Sequence, residues 1–361
     1  MTRPVRARID LAALAHNLAR VRSVAAGSRV MAVVKAGAYG HGLLPVARVL
    51  AETGADGFGV ASVEEALVLR QAGLEQPVTL LSGFFAAEEL EVIGAQRLVP
   101  VVHHDSQVAM LEQARLARPV DVWLKIDTGM HRLGFAPDVV PDVHRRLRAC
   151  GAVGRIGLMS HLARADDRNG PHTRRQWQTF EAACAGLDGE RSLASSGGIL
   201  GWPETHLDWV RPGLMLYGIT PFVTGSAADE DLRPVMTLES RLIAVNHCRR
   251  GDAIGYGGAW VCPEDMPVGV AAVGYGDGYP RHAPSGTPVL VDGRRAALVG
   301  RVSMDLLCID LRGRPDARVG DRVTLWGEGL PVEEVAARAD TIAYQLVCGV
   351  AGRVARLASG G

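Results

Sequence analysis

Val30-Met31-Ala32-Val33-Val34-Lys35-Ala36-Gly37-Ala38-Tyr39-Gly40-His41-Gly42 takes the chain from an apolar run into a glycine-rich turn, with a lysine at the junction. The apolar run reads as a buried strand. A lysine where such a strand ends is costly to bury unless it has a partner or a covalent use. Desolvation helps a lysine lose its proton, and the neutral amine can then attack a carbonyl to form a Schiff base. The small residues behind Lys35 let backbone approach a bulky ligand, and Tyr39 and His41 supply polar edges. A single strand-end lysine is ordinarily solvated or ion-paired. The whole stretch from Lys35 to Gly42 sets this one apart.

Working outward, similar apolar runs recur through the first part of the chain. Strands are predicted at Val30–Lys35, Gly57–Ser62, Val78–Ser82, Leu98–His103, Val120–Asp127, Ile156–His161, Ser192–Ser196 and Asp208–Tyr217. Helical patterns lie before or between them: Asp10–Ala25 with Asp10 as N-cap, Ser62–Gln71 with Ser62 capping and Glu65 three residues on, and Gln176–Ala185. Eight strands with intervening helices predict a parallel (β/α)8 barrel. A doubly wound sheet would have fewer strands and a glycine-rich dinucleotide loop, which is not found. Residues 221–233 read as a polar linker. From Met236 on, strands dominate: Met236–Asn246, Val268–Val273, Pro288–Val291, Arg295–Val299, Leu306–Leu311 and Arg322–Trp326, separated by turns such as Asp292-Gly293. The expected fold is therefore α/β, an N-terminal (β/α)8 barrel over 1–225 followed by a mostly-β C-terminal domain over 226–361.

Composition narrows the function classes. The 39 acidic and 39 basic residues balance, so no excess of positive charge points to nucleic acid, and no basic amphipathic segment points to a membrane surface. The six cysteines are scattered without a CxxC pair, against a disulfide or zinc framework and without metal-ligand spacing. Asp10, His16 and Asn17 interrupt the region where a signal peptide needs an unbroken apolar core. No apolar run approaches the roughly 18–20 residues of a membrane span. A cytoplasmic protein without bound metal is expected.

Active sites of β/α barrels sit at the carboxyl ends of the strands. Lys35, Lys125 with Asp127 and then Arg132, His161, Ser195-Ser196-Gly197-Gly198, and Arg211-Pro212-Gly213 all fall at such ends. Each alone is ordinarily a cap or a structural hydrogen-bonder; their convergence on one rim calls for more. Serine and glycine N–H groups after the last strands suit a phosphate. A Schiff-base lysine, a phosphate cradle and an arginine facing a ring together match a pyridoxal phosphate site. The second domain adds Gly255-Tyr256-Gly257-Gly258, the stretch Gly274–Arg281, and Gly300–Asp305. Tyrosines flanked by glycines are ordinarily turn residues; one acting as a base needs a lowered pKa.

Five motifs in order resemble the alanine racemase family, fold-type III pyridoxal phosphate enzymes. They are Val33–Gly42, Lys125–Gly134, Arg211–Gly218, Gly255-Tyr256-Gly257 and Ser303-Met304-Asp305, and the resemblance runs from Arg6 almost to the C-terminus. It implies a racemase that interconverts L- and D-alanine by a two-base mechanism, either supplying D-alanine for cell-wall peptidoglycan or degrading it. Pyridoxal 5'-phosphate would be the cofactor and alanine the small-molecule substrate. The chain would form a homodimer with shared active sites, binding neither nucleic acid nor membrane. Lys35 would carry the cofactor and act as base toward D-alanine, and Tyr256 would act on the opposite face toward L-alanine. Arg211 would face the pyridine nitrogen, with His161 hydrogen-bonded to it. Tyr39, Ser196 and the backbone of Gly213 and Leu214 would hold the phosphate. Arg132 would meet the substrate carboxylate, with Met304 of the second subunit nearby. Lys125 matches a position carbamylated in some members. Asp166, Tyr275, Arg281 and Arg301 match a narrow substrate entrance. Three positions depart from the family pattern: Gly37 for Asn or Asp, Ser195 for Asn, and Gly352 where some members place a tyrosine on the phosphate. Rival readings are another pyridoxal phosphate barrel enzyme, such as a decarboxylase or a racemase of broader substrate range, and a non-catalytic cofactor-binding protein of barrel type.

Overall fold

The computed structural model describes residues 3–360. Eight parallel strands close a barrel: β2 (Arg29–Val33), β3 (Gly57–Val60), β4 (Val78–Leu80), β5 (Leu98–Val102), β6 (Val120–Lys125), β7 (Val153–Met159), β8 (Arg191–Ser195) and β9 (Trp209–Arg211). Closure comes from β2 pairing β9 in parallel, Arg29 opposite Trp209 and Val30 opposite Val210. The barrel floor is a small apolar cluster of Met31, Val101, Trp123, Met159 and Trp209. Gly157 leaves room for it, since a Cβ there would overlap the Trp123 ring. Chemistry in such barrels is carried at the opposite rim, the carboxyl ends of the strands.

The expected strands lie where the apolar runs predicted them, with one correction. The run Asp208–Tyr217 is extended only over Trp209–Arg211; Leu214–Tyr217 winds into a 3-10 turn. Pro212 has no N–H to continue a ladder, and its carbonyl instead accepts from Val33 N–H at 2.9 Å. Helix starts follow their caps: Asp10 accepts from Ala13 N–H at 2.8 Å, and Ser62 accepts from Glu65 N–H at 3.4 Å. The helix read at Gln176–Ala185 begins earlier, spanning His172–Ala183.

The second domain is built from β10 (Met236–Cys248), β11 (Ala253–Ile254), β12 (Trp260–Val261), β13 (Met266–Ala271), β14 (Pro288–Val291), β15 (Arg294–Val299), β16 (Leu307–Asp310), β17 (Arg322–Trp326) and β18 (Ala355–Ser359). β13 pairs with both β16 and β10, so β10, β13, β16, β15, β14 and β17 close a ring. A strand not anticipated from sequence, β1 (Arg6–Asp10), joins this sheet rather than the barrel. It runs antiparallel to β10 and parallel to β18. The segment read as a polar linker is tied down. Asn17 donates to the carbonyls of Leu216 (3.0 Å) and Arg233 (2.8 Å) and accepts from Arg233 N–H at 2.8 Å. Two short helices, Val332–Arg338 and Ala343–Cys348, interrupt the otherwise β-rich second part.

The C-terminal segment closes over the lysine turn. Arg356 Nε donates to the Gly40 carbonyl at 2.6 Å, and a Cβ on Gly40 would overlap the Val347 carbonyl. Gly40 is left-handed at φ +79°, so a side chain there is doubly excluded. Gly293 is also left-handed, at φ +77°, but has open space around it. We expect Gly40→Ala to lower unfolding stability by about 2 kcal/mol or more, against about 1 kcal/mol for Gly293→Ala. Chemical denaturation of the two variants measures the difference; equal losses would mean the Val347 contact is absent.

Candidate active site

Lys35 sits where β2 runs out at the barrel rim. The residues after it, Ala36, Gly37, Ala38, Tyr39 and Gly40, are all left-handed, with φ of +54°, +61°, +56°, +52° and +79°. Gly37 suits this geometry, and a Cβ there would meet nothing within 4 Å. The turn swings Tyr39 inward against Tyr217, ring centroids 4.7 Å apart, and Tyr217 donates its hydroxyl to the Val33 carbonyl at 2.9 Å. Burial raises the pKa of the Tyr39 hydroxyl, which stays a donor.

Beside Tyr39 the last two barrel strands end in a small cradle. Ser196 Oγ accepts from the N–H groups of Gly213 (3.1 Å) and Met215 (3.2 Å). A Cβ on Gly213 would stand 2.5 Å from Tyr39 Oη, so only glycine leaves this space open. The hydroxyls of Tyr39 and Ser196 and the Leu214 N–H, which has no acceptor among the described residues, thus gather at the ends of the last strands, where an anion would find donors.

Arg211 is the most unusual charge. It is 4% exposed, and among the described residues it has no carboxylate within ion-pair distance. Nη1 donates to Ser192 Oγ at 2.6 Å; Nη2 donates to the Ser160 carbonyl at 2.6 Å and the Leu193 carbonyl at 3.2 Å, and lies 3.4 Å from His161 Nδ1. Nε makes no hydrogen bond among the described residues. Burial lowers the Arg211 pKa to about 10, which leaves it charged at neutral pH. Because Arg211 can only donate, His161 Nδ1 must accept. Burial, then the neighbouring Arg211, hold His161 well below its usual pKa, so its ring is neutral.

Lys125 ends β6 and is buried. Burial first, then Arg211, Arg132 and Lys35, lower its pKa to about 8. Lys35 is half-buried and shifted down as well, by burial and then by Arg132, with Glu65 opposing. Lys35 and Lys125 are the only two lysines in the chain, and both are at this rim. Asp127 is spent on the loop that follows. Its Oδ1 accepts from Gly129, Met130 and His131 N–H groups at 3.0, 3.1 and 3.0 Å. That turn presents Arg132 outward, with no ion pair or hydrogen bond among the described residues. Lys125, Met130, Arg132, Ser160 and His161 line one recess.

The second-domain candidates lie elsewhere in the chain. Tyr256 is 67% exposed at the tip between β11 and β12, and Met304 is 52% exposed. Arg301 lies against the loop of Tyr256, its Nη1 3.4 Å from where a Gly257 Cβ would be. Tyr275 N–H donates to the Ser303 carbonyl at 3.0 Å, and the Arg281 guanidinium is 5.9 Å from the Tyr275 ring. Among the described residues, no hydrogen bond or aromatic contact within the chain joins any of these to Lys35. Asp166 stands apart from them, on the barrel side, its carbonyl 3.4 Å from Val223 N–H. Ser195 is at the end of β8 opposite Arg211. A Cβ added at Gly352 would meet nothing within 4 Å, so a side chain there would be free of clashes.

Sequence reading missed Ser160, Ser192 and Tyr217. Ser192 is a fully buried hydroxyl, but β8 (Arg191–Ser195) also holds Arg191 and Ser195, so nothing local set it apart. The Ser160 carbonyl and the Tyr217 hydroxyl act through cross-strand register, which has no local signature.

Residues 9–221 match the family described as alanine racemase, N-terminal domain, and residues 235–358 match alanine racemase, C-terminal domain. An alanine racemase of Nitrosococcus oceani is 58% identical over 350 residues, covering 96% of this chain and 97% of that protein. The biosynthetic alanine racemase of Escherichia coli K12 is 51% identical over 349 residues, covering 96% and 97%. The crystal structure of the biosynthetic alanine racemase from Pseudomonas aeruginosa superposes with a TM-score of 0.97 at 46% identity, covering 99% of this chain and all (100%) of that one. These matches span both domains, unlike a barrel-only cofactor-binding protein.

With only two lysines, [ε-13C]lysine-labelled protein freed of bound small molecules should show two side-chain signals. Both should titrate below the ordinary 10.5, with Lys125 near 8. Two midpoints at or above 10.5 would contradict the burial described.

Proposed function

This chain belongs to the alanine racemase family, isomerases that interconvert L- and D-alanine, and we propose that it works by two opposed bases on a pyridoxal 5'-phosphate site shared between two copies of the chain. The residues fit that cofactor. The polar cluster of Tyr39, Ser196 and Gly213 suits its phosphate: the Leu214 N–H is unspent among the described residues, and the Gly213 N–H, now given to Ser196 Oγ, would turn to the phosphate with it. Arg211 is a buried cation with a free Nε and no carboxylate, and a ring nitrogen would give it an acceptor. That single feature carries the reading, because a buried unpaired cation is costly unless a ligand completes its surroundings. Bound there, the cofactor would hold the substrate amine and draw electron density from its α-carbon, making the α-proton acidic.

The chain's own residues would do the rest. Lys35, desolvated, is readier to give up its proton and to take one from the α-carbon on its face. Arg211, keeping its proton, would leave a ring nitrogen bound there unprotonated, which would limit the cofactor's strength as an electron sink and disfavour side reactions. Neutral His161 accepts from Arg211 and fixes its plane. Arg132, free of protein partners among the described residues, would bind the substrate carboxylate, a geometry for which arginine is suited. Lys125, with a pKa of about 8, has enough neutral amine to take up carbon dioxide, which would place a negative charge beside Arg132. Tyr256, with Met304, would enter from the second copy of the chain and serve the opposite face. Its exposure here supports that arrangement. Tyr275, Arg281 and Arg301 with it, and Asp166 of the facing barrel, would border the entrance. We place the enzyme in the cytoplasm, whose reducing conditions suit its six free thiols.

Lys35→Ala should abolish racemisation and the visible absorbance of bound cofactor. Tyr256→Phe should keep the cofactor and lose at least ~100-fold of racemisation in both directions, while still exchanging the α-proton of D-alanine with solvent. Near-normal racemisation by Tyr256→Phe would sink the two-base assignment. Specific activity should also fall on serial dilution; activity independent of dilution down to subnanomolar chain would count against a shared site.

A further inference from the structure

We infer that Glu65, which nothing above places in the reaction, is a positioning residue for Lys35: its carboxylate fastens the left-handed turn that aims the amine. Glu65 is the third residue of the helix Val63–Gln71, and its N–H donates to the capping Ser62 at 3.4 Å. A glutamate in this place ordinarily reaches back to the N–H of its own cap. Here Oε2 accepts instead from Ala61 N–H at 2.9 Å, and Oε1 crosses to the end of the neighbouring strand and accepts from Ala36 N–H at 2.6 Å. The crossing is possible because β2 and β3 pair in parallel with Val33 opposite Gly59, which starts the helix after β3 beside the lysine turn.

Ala36 is the first left-handed residue after Lys35. Its N–H lies outside the turn's own ladder, which begins with Ala38 N–H to the Val34 carbonyl at 2.8 Å and Gly40 N–H to the Ala36 carbonyl at 2.9 Å. Among the described residues, Glu65 therefore supplies the only acceptor for that donor, in a short charge-assisted bond. The same carboxylate acts on Lys35 by charge. The groups that bear on Lys35 are Arg132 from the loop after β6, Cys348 from the helix Ala343–Cys348, and Glu65; Lys125 and His161 feel Lys35 in turn. Glu65 is the carboxylate among them, and it opposes burial and Arg132. Position and charge are thus carried by one side chain.

The inference rests on the role proposed for Lys35, and the test separates the two. Glu65→Gln keeps an acceptor for Ala36 but removes the charge and turns an N–H donor toward one of the two backbone N–H groups. Glu65→Ala removes both bonds. In the holoenzyme, kcat should fall about tenfold for Glu65→Gln and about a hundredfold for Glu65→Ala, with the KM for alanine within about threefold, because the loss is of aim rather than of substrate contact. In cofactor-free [ε-13C]lysine-labelled protein, the Lys35 signal of Glu65→Gln should titrate lower than in the wild type while the Lys125 signal stays in place. Glu64→Gln, one residue away and exposed, should change neither readout. An unmoved Lys35 titration in Glu65→Gln, or wild-type kcat in Glu65→Ala, overturns the inference. Racemisation surviving in Lys35→Ala would instead overturn the reading of the site.

Discussion

A run of L-residues in the left-handed region is the constraint on which this structure depends. Outside glycine, each such residue gives up roughly 1–2 kcal/mol relative to the right-handed form. Ala36, Ala38 and Tyr39 adopt it in succession, between and beside Gly37 and Gly40. Strain of this kind persists only where the surroundings over-determine it. Here they do so from several directions. Glu65 takes the Ala36 N–H, Tyr217 stacks on Tyr39 and holds the Val33 carbonyl, and Arg356 takes the Gly40 carbonyl. Val347 closes against Gly40. Arg356 and Val347 come from the far end of the chain. The barrel therefore supplies the strand that delivers Lys35, but the second domain helps hold the turn that aims it. This dependence joins the two domains within one chain, independently of any second copy.

Burial then sorts the cations by chemistry. The same low-polarity surroundings act on Arg211, Lys125 and Lys35, yet with different outcomes. Arginine starts so high that a pKa lowered to about 10 still leaves it protonated at neutral pH, whereas Lys125 falls to about 8 and comes within reach of the neutral amine. A site needing one permanent cation and one exchangeable proton can obtain both from a single desolvated pocket by residue type alone. Among the described residues neither Arg211 nor Lys125 forms an ion pair with a carboxylate: Asp127 is committed to the N–H groups of its own loop. The rim is left with positive charge that an anionic ligand would relieve.

Much of this was legible in the sequence, for identifiable reasons. Apolar runs ending in polar residues located the barrel strands and put Lys35, Lys125, His161, Ser196 and Arg211 on one rim, because strand direction and rim are linked in a closed parallel barrel. Three kinds of feature were not legible. The end of β9 was overrun because the apolar pattern continues past Pro212, while the chain does not. β1 was hidden because its partners, β10 and β18, are more than two hundred residues away in sequence. The bonds of Glu65, Ser160 and Ser192 were hidden because they depend on register between neighbouring strands. Glu65 itself looked like half of a capping box, which locally it nearly is.

Asp277 is fully buried and is held by Arg3 and Arg353, each at 2.8 Å, and Arg353 continues to Asp305 at 2.7 Å. Gly274 packs so closely on the Ser303 and Met304 carbonyls that no side chain fits, and Gly276 N–H donates to the Met304 carbonyl at 2.8 Å. A buried carboxylate bridged by two guanidiniums is costly to form and rigid once formed. Its effect here is to fix the loop bearing Met304 and the turn bearing Tyr275, both at the surface. The backbone that carries these two side chains is therefore set before any contact is made. On the proposed reading, then, the backbone under Met304 and Tyr275 would meet part of the ordering cost of docking before the second copy arrives, while the exposed Tyr256 side chain would meet its own on contact.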